Sequence, residues 1–483
     1  MRVLVIVILV GVAACDGCEE KFSVEELQDP ETCKECHPKH YDQWSGSMHA
    51  YASDDPVFIA MNKRGQRETN GELGDFCIQC HAPMALKLGK ASGSNFDPAA
   101  LSSSTRGITC YFCHNVESIV ADHNNGLAIA LDQTMRGGAK NPSDSPAHFS
   151  EYDTKMASRT NNSEMCGSCH DVTTSAAVHL ERTFAEWKTT VFAIQDPANF
   201  LPVTCSTCHM TPTDGVIASG EGLDVKSREL GFHNHTMAAI DIALTPFPRM
   251  DEQLMEIQKI LKPSIGIKGP RALGAVDARG GICLDPPGIL TVRLDSLSPG
   301  HHFPSGAAQD RRVWLEVTAY DASDNVLYAR GQVPNGADPE TQNDASLTCP
   351  NGPTTECATF FDKTKKADGS PAHFFWDVAT VESNLIKPPI TRDPNSSAYD
   401  HSSTVTYQVG TLLPQIERIE AKLWVRPLPF GALDELIASG DLDPSVRAAL
   451  EKPEATMLAA QSTWLKSTKG TGPFAINTNC NPF

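Results

Sequence analysis

Five copies of Cys-x-x-Cys-His fall in the first half of the chain, and nothing else in the sequence limits the fold so sharply. They are Cys33-Lys-Glu-Cys36-His37, Cys77-Ile-Gln-Cys80-His81, Cys110-Tyr-Phe-Cys113-His114, Cys166-Gly-Ser-Cys169-His170 and Cys205-Ser-Thr-Cys208-His209, numbered below as motifs 1 to 5. Two thiols three positions apart can each bond one vinyl group of a single haem. The histidine that follows then faces the iron as its proximal ligand. In 483 residues with 16 Cys and 16 His, chance supplies roughly 0.02 such matches. Zinc and dithiol sites also use Cys-x-x-Cys, but their chemistry gives no reason for a histidine directly after every second cysteine. The spacing therefore predicts five c-type haems, bonded through these ten cysteines and ligated by His37, His81, His114, His170 and His209.

An apolar content of 40% is enough for packed cores in two or three domains. The net charge of -19 argues against nucleic acid and anionic lipid as partners. Haem propionates would deepen that acidity, so the expected partner is a redox protein that docks through a basic patch.

The opening Met1-Arg-Val-Leu-Val-Ile-Val-Ile-Leu-Val-Gly-Val-Ala-Ala reads as an export signal rather than a membrane span. Val12-Ala13-Ala14-Cys15 resembles a bacterial lipobox, with Cys15 lipidated after cleavage; ordinary cleavage nearby is the alternative. Asp16 resembles the residue that retains such lipoproteins at the inner membrane in some bacteria. The expected location is thus the periplasmic or cell-surface side, with a lipid anchor holding the chain to a membrane. Export suits the remaining cysteines. Cys18, Cys283, Cys349, Cys357 and Cys480 are left over, an odd number, so one stays unpaired within a monomer. Cys349 and Cys357 bracket a turn-forming Pro/Gly/Thr stretch that suits a short disulfide loop.

The chain divides by character into a signal peptide over 1–14, an acidic tether over 15–29 and a five-haem domain over 30–245. A linker or helix follows over 246–276, then a β-sandwich-like domain over 277–428, and helices with a tail over 429–483. The fold class expected is α+β and multidomain. The haem domain has few long periodic runs, so short helices should carry the motifs and haem should supply much of the core. Beyond it, Gly288–Asp295, Arg312–Tyr320, Val326–Arg330, Ser403–Val409 and Glu417–Arg426 alternate apolar and polar residues as strands do, with Asp321–Asn325 joining a hairpin. Ala432–Ala438 and Pro444–Lys466 have helical spacing. There is also an internal echo. Tyr41-x-x-Trp44-x-x-x-x-His49-Ala follows motif 1 and Phe184-x-x-Trp187-x-x-x-x-Phe192-Ala follows motif 4, so the second copy keeps the scaffold and loses the histidine.

With Ser47-Met-His49-Ala, Phe76-Cys-Ile-Gln-Cys-His-Ala-Pro, Gly107-Ile-Thr-Cys-Tyr-Phe-Cys-His, Cys166-Gly-Ser-Cys-His-Asp-Val and Gly300-His301-His302-Phe-Pro-Ser-Gly, the chain resembles multihaem cytochromes of the cytochrome c-554 family and its larger relatives that append a strand-rich domain. The resemblance implies bis-histidine ligation at most irons. It points to His49, His235 and His301 as distal ligands, with His233 as runner-up to His235. His301 would pin the strand-rich domain to the haem core. For His148, His179 and His123, ligation and a polar supporting role both stay open. His40 lies on the same helical side as His37, so it could serve only a neighbouring haem. Met48, Met84 and Met210 are expected to pack against haem edges. His373 and His401 have no assignment.

Closely spaced haems pass electrons without making bonds, so the leading expectation is an exported electron carrier exchanging electrons with other redox proteins, other cytochromes among them. Two alternatives remain. One is a haem enzyme acting on a small nitrogen compound at an open iron, and the other is a subunit of an extracellular cytochrome assembly. No residue signature marks an enzymatic role for the strand-rich domain, and the Cys-x-x-Cys-Lys motif of ammonia-forming nitrite reductases is absent, while Phe192 in place of a histidine hints at rearranged ligation.

Overall fold

Proline and side-chain caps cut the first half of the chain into short helices. Asp29 opens Pro30–Cys36 by accepting the Glu31 amide at 3.1 Å, with Pro30 at a position whose N–H would be unpaired anyway. Thr109 opens Cys110–His114 by accepting the Phe112 amide at 3.3 Å, and Thr204 opens Cys205–His209 with its own amide donating to Thr207 Oγ1 at 3.3 Å. Asp55 caps the 13-residue helix Pro56–Glu68, again with proline first. Gly65 in that helix has no alternative, since a Cβ there would stand 2.6 Å from the Leu73 side chain and 3.0 Å from Trp376.

The computed structural model describes residues 22–137, 159–194, 203–220, 225–266, 281–296, 298–339 and 358–466. The expectations for the export segment, Cys15, Cys18, His148, the Cys349–Cys357 loop and Cys480 lie outside the described residues.

Three two-stranded hairpins interrupt the helices: Val116–Ile119 with Leu127–Ile129, Asp171–Thr173 with His179–Arg182, and Pro212–Gly215 with Arg228–His233. They went unread in the sequence because five of the six strands, at three or four residues, are too short to establish a period. The apolar clusters here are small. One joins Leu27, Met84, Tyr111, Phe112, Val116 and Leu127, which places Met84 inside the protein core beside motif 3.

Among the described residues, the second half holds a two-stranded antiparallel sheet, Asp362–Lys365 with Thr380–Ser383, and two larger antiparallel ones. One runs Val326–Arg330, Arg312–Tyr320, Arg418–Arg426, Met457–Leu465, with Thr359–Phe360 also paired to Arg312–Tyr320. The other runs Ser403–Gln408, Ile289–Ser296, Ile265–Gly266, with Ile282–Asp285 also on Ile289–Ser296. Alternation sets the inward face: Ile419, Ala421, Leu423 and Val425 are all 0% exposed. Both sheets feed one apolar cluster, in which Leu290, Val292 and Leu294 join Val313, Leu315 and Val317. Cys283, in Ile282–Asp285, is disulfide-bonded.

The helix expected over Pro444–Lys466 is corrected. It ends at Leu450, Pro453 blocks its continuation, and Met457–Leu465 is a strand paired along Arg418–Arg426. Tertiary pairing overrides a sequence whose Ala and Leu content suits a helix equally well. The helices Phe430–Ala438 and Pro444–Leu450 then dock on the first half, where Leu433, Leu436 and Leu450 share a cluster with Ala60 and Leu244.

Candidate haem centres

Motif 1 closes the helix Pro30–Cys36 with His37 as its cap, motif 4 straddles the end of Arg159–Gly167, and motifs 2, 3 and 5 form the short helices Ile78–His81, Cys110–His114 and Cys205–His209, each ending on its histidine. None of the ten motif cysteines is in a disulfide. Thiols of different motifs meet in pairs: Cys33 with Cys110, Cys166 with Cys205, and Cys80 with Cys169. Cys113 also lies within electrostatic reach of Cys166 and Cys169. The five motifs therefore form a branched row, in which motif 1 leads through motif 3 to motif 4, and motif 4 neighbours both 2 and 5.

Four of the five proximal imidazoles are held by backbone carbonyls. Nδ1 of His37 pairs with Ile217 O at 2.7 Å, His81 with Ala52 O at 3.1 Å, His114 with Arg136 O at 2.7 Å and His209 with Ala238 O at 2.8 Å. A ring anchored through Nδ1–H is fixed in the tautomer that leaves Nε2 free for a metal. Phe58 stacks on the His81 ring with centres 4.2 Å apart and further limits its rotation. Burial pushes His81, His114 and His170 below the usual imidazole range and takes His209 down to about 4, so these rings stay neutral as ligation requires.

Three further histidines face proximal ones. His235 and His114 have ring centres 6.4 Å apart with planes 17° from parallel, and His301 and His209 have 6.3 Å and 18°. His49 and His170 stand 6.1 Å apart at 64°. Metal–imidazole bonds of about 2 Å plus the depth of each ring put the centres of two imidazoles on one metal roughly 6 Å apart. All three pairs have that spacing. His235 and His301 are also anchored through Nδ1, to His233 O at 2.8 Å and His302 O at 2.7 Å. His49 Nδ1 meets Met237 Sδ at 2.8 Å. Burial, with His170, His209, His235 and His81 around it, takes His49 down to about 3, and burial takes His235 down to about 4. Each donor set suits an iron porphyrin: a thiol pair, a proximal imidazole with free Nε2 and, at motifs 3, 4 and 5, a second imidazole at ligand spacing.

The other histidines lie elsewhere. His179 points to Asp171, with Nε2 3.4 Å from Oδ2, and His123 points to Asp122. His40 packs against Phe232 and stands edge-on to His235 with centres 4.7 Å apart, so it supports the ring opposite His114. His233 pairs through Nδ1 with Met210 O at 3.1 Å. His373 meets Glu435, and His401 lies between Tyr399 O and Ser296 O.

Sequence reasoning missed Glu186. Its buried carboxylate accepts from the His302 amide at 3.1 Å and Ser305 Oγ at 2.7 Å, and lies 3.0 Å from His302 Nδ1. A helix of the first half thereby grips the loop that carries His301. The carbonyl anchors were equally invisible, because a main-chain acceptor leaves no mark on residue choice.

Covalent attachment motifs and histidine pairs together define a class: the chain is a multihaem cytochrome of c type, a carrier of haem c and of electrons. Residues 32–115 match the family model described as Cytochrome c554 and c-prime. The fold is similar to that of a penta-heme cytochrome c552 from Thermochromatium tepidum, with 18% sequence identity, TM-score 0.55, and coverage of 90% of this chain and 98% of that one. No curated protein matches the sequence. Among the described residues, no helix is long and apolar enough to cross a membrane.

Proposed function

We propose that this chain is an exported electron carrier that binds five haems c, one at each motif, and exchanges electrons with a separate redox protein. Haem supplies a one-electron couple at each site. The residues do the rest: cysteines fix position, and imidazoles anchored through Nδ1 hold orientation. His235 with His114, His49 with His170, and His301 with His209 would hold the irons of motifs 3, 4 and 5. The single observation that carries this reading is the recurrence of one ring-to-ring spacing, 6.1 to 6.4 Å, at three separate motifs.

The opening hydrophobic segment and Cys15 support delivery to the periplasmic or cell-surface side with a lipid anchor. The net charge of -19 supports a partner that presents basic residues. The two sheets would stack as a β-sandwich that supports the haem row and brings His301 to it. Near-infrared magnetic circular dichroism of the oxidised holoprotein tests the ligation, because charge-transfer bands distinguish bis-histidine iron from histidine–methionine and high-spin iron. Bis-histidine bands for at least three haems are expected. Spectra made up only of the other two types would overturn the assignment.

A further inference from the structure

We propose that motifs 1 and 3 and motifs 4 and 5 are two copies of one two-haem module, and that Trp44 and Trp187 are the positioning residues that fix the spacing within each. The inference rests on the five-haem reading and goes beyond it.

The same contacts recur in both copies. Trp44 Nε1 donates to Ile108 O at 2.8 Å, and Trp187 Nε1 donates to Val203 O at 3.0 Å. Each acceptor stands two residues before the first cysteine of the second motif in its pair. The amide of that same residue is also held: Ile108 N donates to His49 O at 2.9 Å, and Val203 N donates to Phe192 O at 2.9 Å. His49 and Phe192 both lie five residues after the tryptophan. One residue ahead of each second motif is therefore gripped through its N–H and its C=O, and the next residue, Thr109 or Thr204, caps the motif helix. Between them, Ser47 N and Thr190 N return to the Trp44 and Trp187 carbonyls at 2.9 and 3.0 Å, and both side chains are fully buried.

Local chain geometry cannot produce this agreement. The clasp closes 64 positions of sequence in the first copy and 16 in the second. The extra chain in the first copy carries motif 2, so motif 2 reads as an insertion between the halves of a module. Gly107 makes the first clasp possible: it has φ of 64°, and a Cβ there would lie 2.6 Å from both His49 O and Ala50 O. Two of the three thiol contacts follow the same pairing, with the first cysteines meeting in each copy, Cys33 with Cys110 and Cys166 with Cys205, while the third, Cys80 with Cys169, ties motif 2 to motif 4.

One side chain differs, and its place gives the difference a function. In the first copy the fifth residue after tryptophan is His49, whose ring faces His170 in the second copy. In the second copy it is Phe192, which offers no ligand. His49 thus joins one module to the next, and Phe192 closes the series.

The test is Trp44→Phe and Trp187→Phe, each with a companion in which the benzothienyl analogue of tryptophan keeps the ring and removes the N–H, in case the smaller ring disturbs folding. Covalent haem number is read by intact mass, and individual haems by paramagnetic resonance with a stepwise redox titration, using His235→Ala and His301→Ala to assign motifs 3 and 5. Loss of the Trp44 donor should shift the signals and midpoint potentials of motifs 1 and 3 and, through His49, that of motif 4, and leave motifs 2 and 5 unchanged. Loss of the Trp187 donor should shift those of motifs 4 and 5 alone. Five haems with changes confined to the first motif of each pair, or spread over all five, would overturn the module. A wild-type mass short of five haems would overturn the underlying reading and the module with it.

Discussion

His49 stands where the row of motifs branches, with His170, His209, His235 and His81 all within electrostatic reach. Its replacement by alanine should convert one low-spin ferric centre, that of motif 4, to high-spin while the haem number stays at five, as read by paramagnetic resonance and intact mass. Glu186 acts one step further out. Glu186→Ala removes the acceptor for the His302 amide and Ser305 hydroxyl, so the His301 loop loses its anchor and the motif 5 signal should broaden or turn partly high-spin. An unchanged motif 5 signal would mean the loop holds His301 without that carboxylate. At this scale the sequence names the residues whose type covalent chemistry dictates, the ten cysteines and five histidines of the motifs. It was illegible where a backbone carbonyl or a remote carboxylate does the positioning, since Ile217, Ala238 and Glu186 carry no signature of their task.

Among the elements, the helix Pro56–Glu68 carries a testable pH dependence. Burial raises its capping residue Asp55 from the ordinary carboxylate range to about 6, with Asp241 adding to the effect. A folded value raised above the unfolded one means the contribution to stability is full below about pH 4 and is lost as pH rises through about 6. Asp55→Asn keeps an oxygen for the Val57 amide, bonded at 2.8 Å in the native chain, and removes the charge. Its urea midpoint should match the native protein near pH 4 and exceed it above pH 7; equal midpoints at both would contradict the account. In the sheet Leu315 is 0% exposed and faces the shared core. Leu315→Ala should lower unfolding stability by about 2–5 kcal/mol in chemical denaturation while leaving the haem spectrum unchanged. The strands around it could be read from period-two alternation such as Ile419, Ala421, Leu423 and Val425. Met457–Leu465 could not, because Ala459 and Ala460 break the alternation and only the partner strand decides between helix and sheet.

For the molecule as a whole, the two halves are bound through side chains that each half alone would leave exposed. Leu433 and Leu436 pack near Ala60, and His301 reaches across to His209. This union was partly legible, because Gly300-His301 resembled a ligand-bearing turn. The branched order of the motifs was not, since sequence order places motif 2 between motifs 1 and 3 while the fold sets it beside motif 4. The net charge of -19 makes a further prediction at this scale. Electron exchange with a basic partner should slow steeply as ionic strength rises, and a rate indifferent to salt in stopped-flow measurements would remove the electrostatic docking surface from the account. The most direct measurement is paramagnetic resonance of the oxidised holoprotein beside His49→Ala, His235→Ala and His301→Ala. Each substitution should cost a different low-spin ferric signal and add a high-spin one. Three spectra identical to that of the native protein would contradict these ligand assignments.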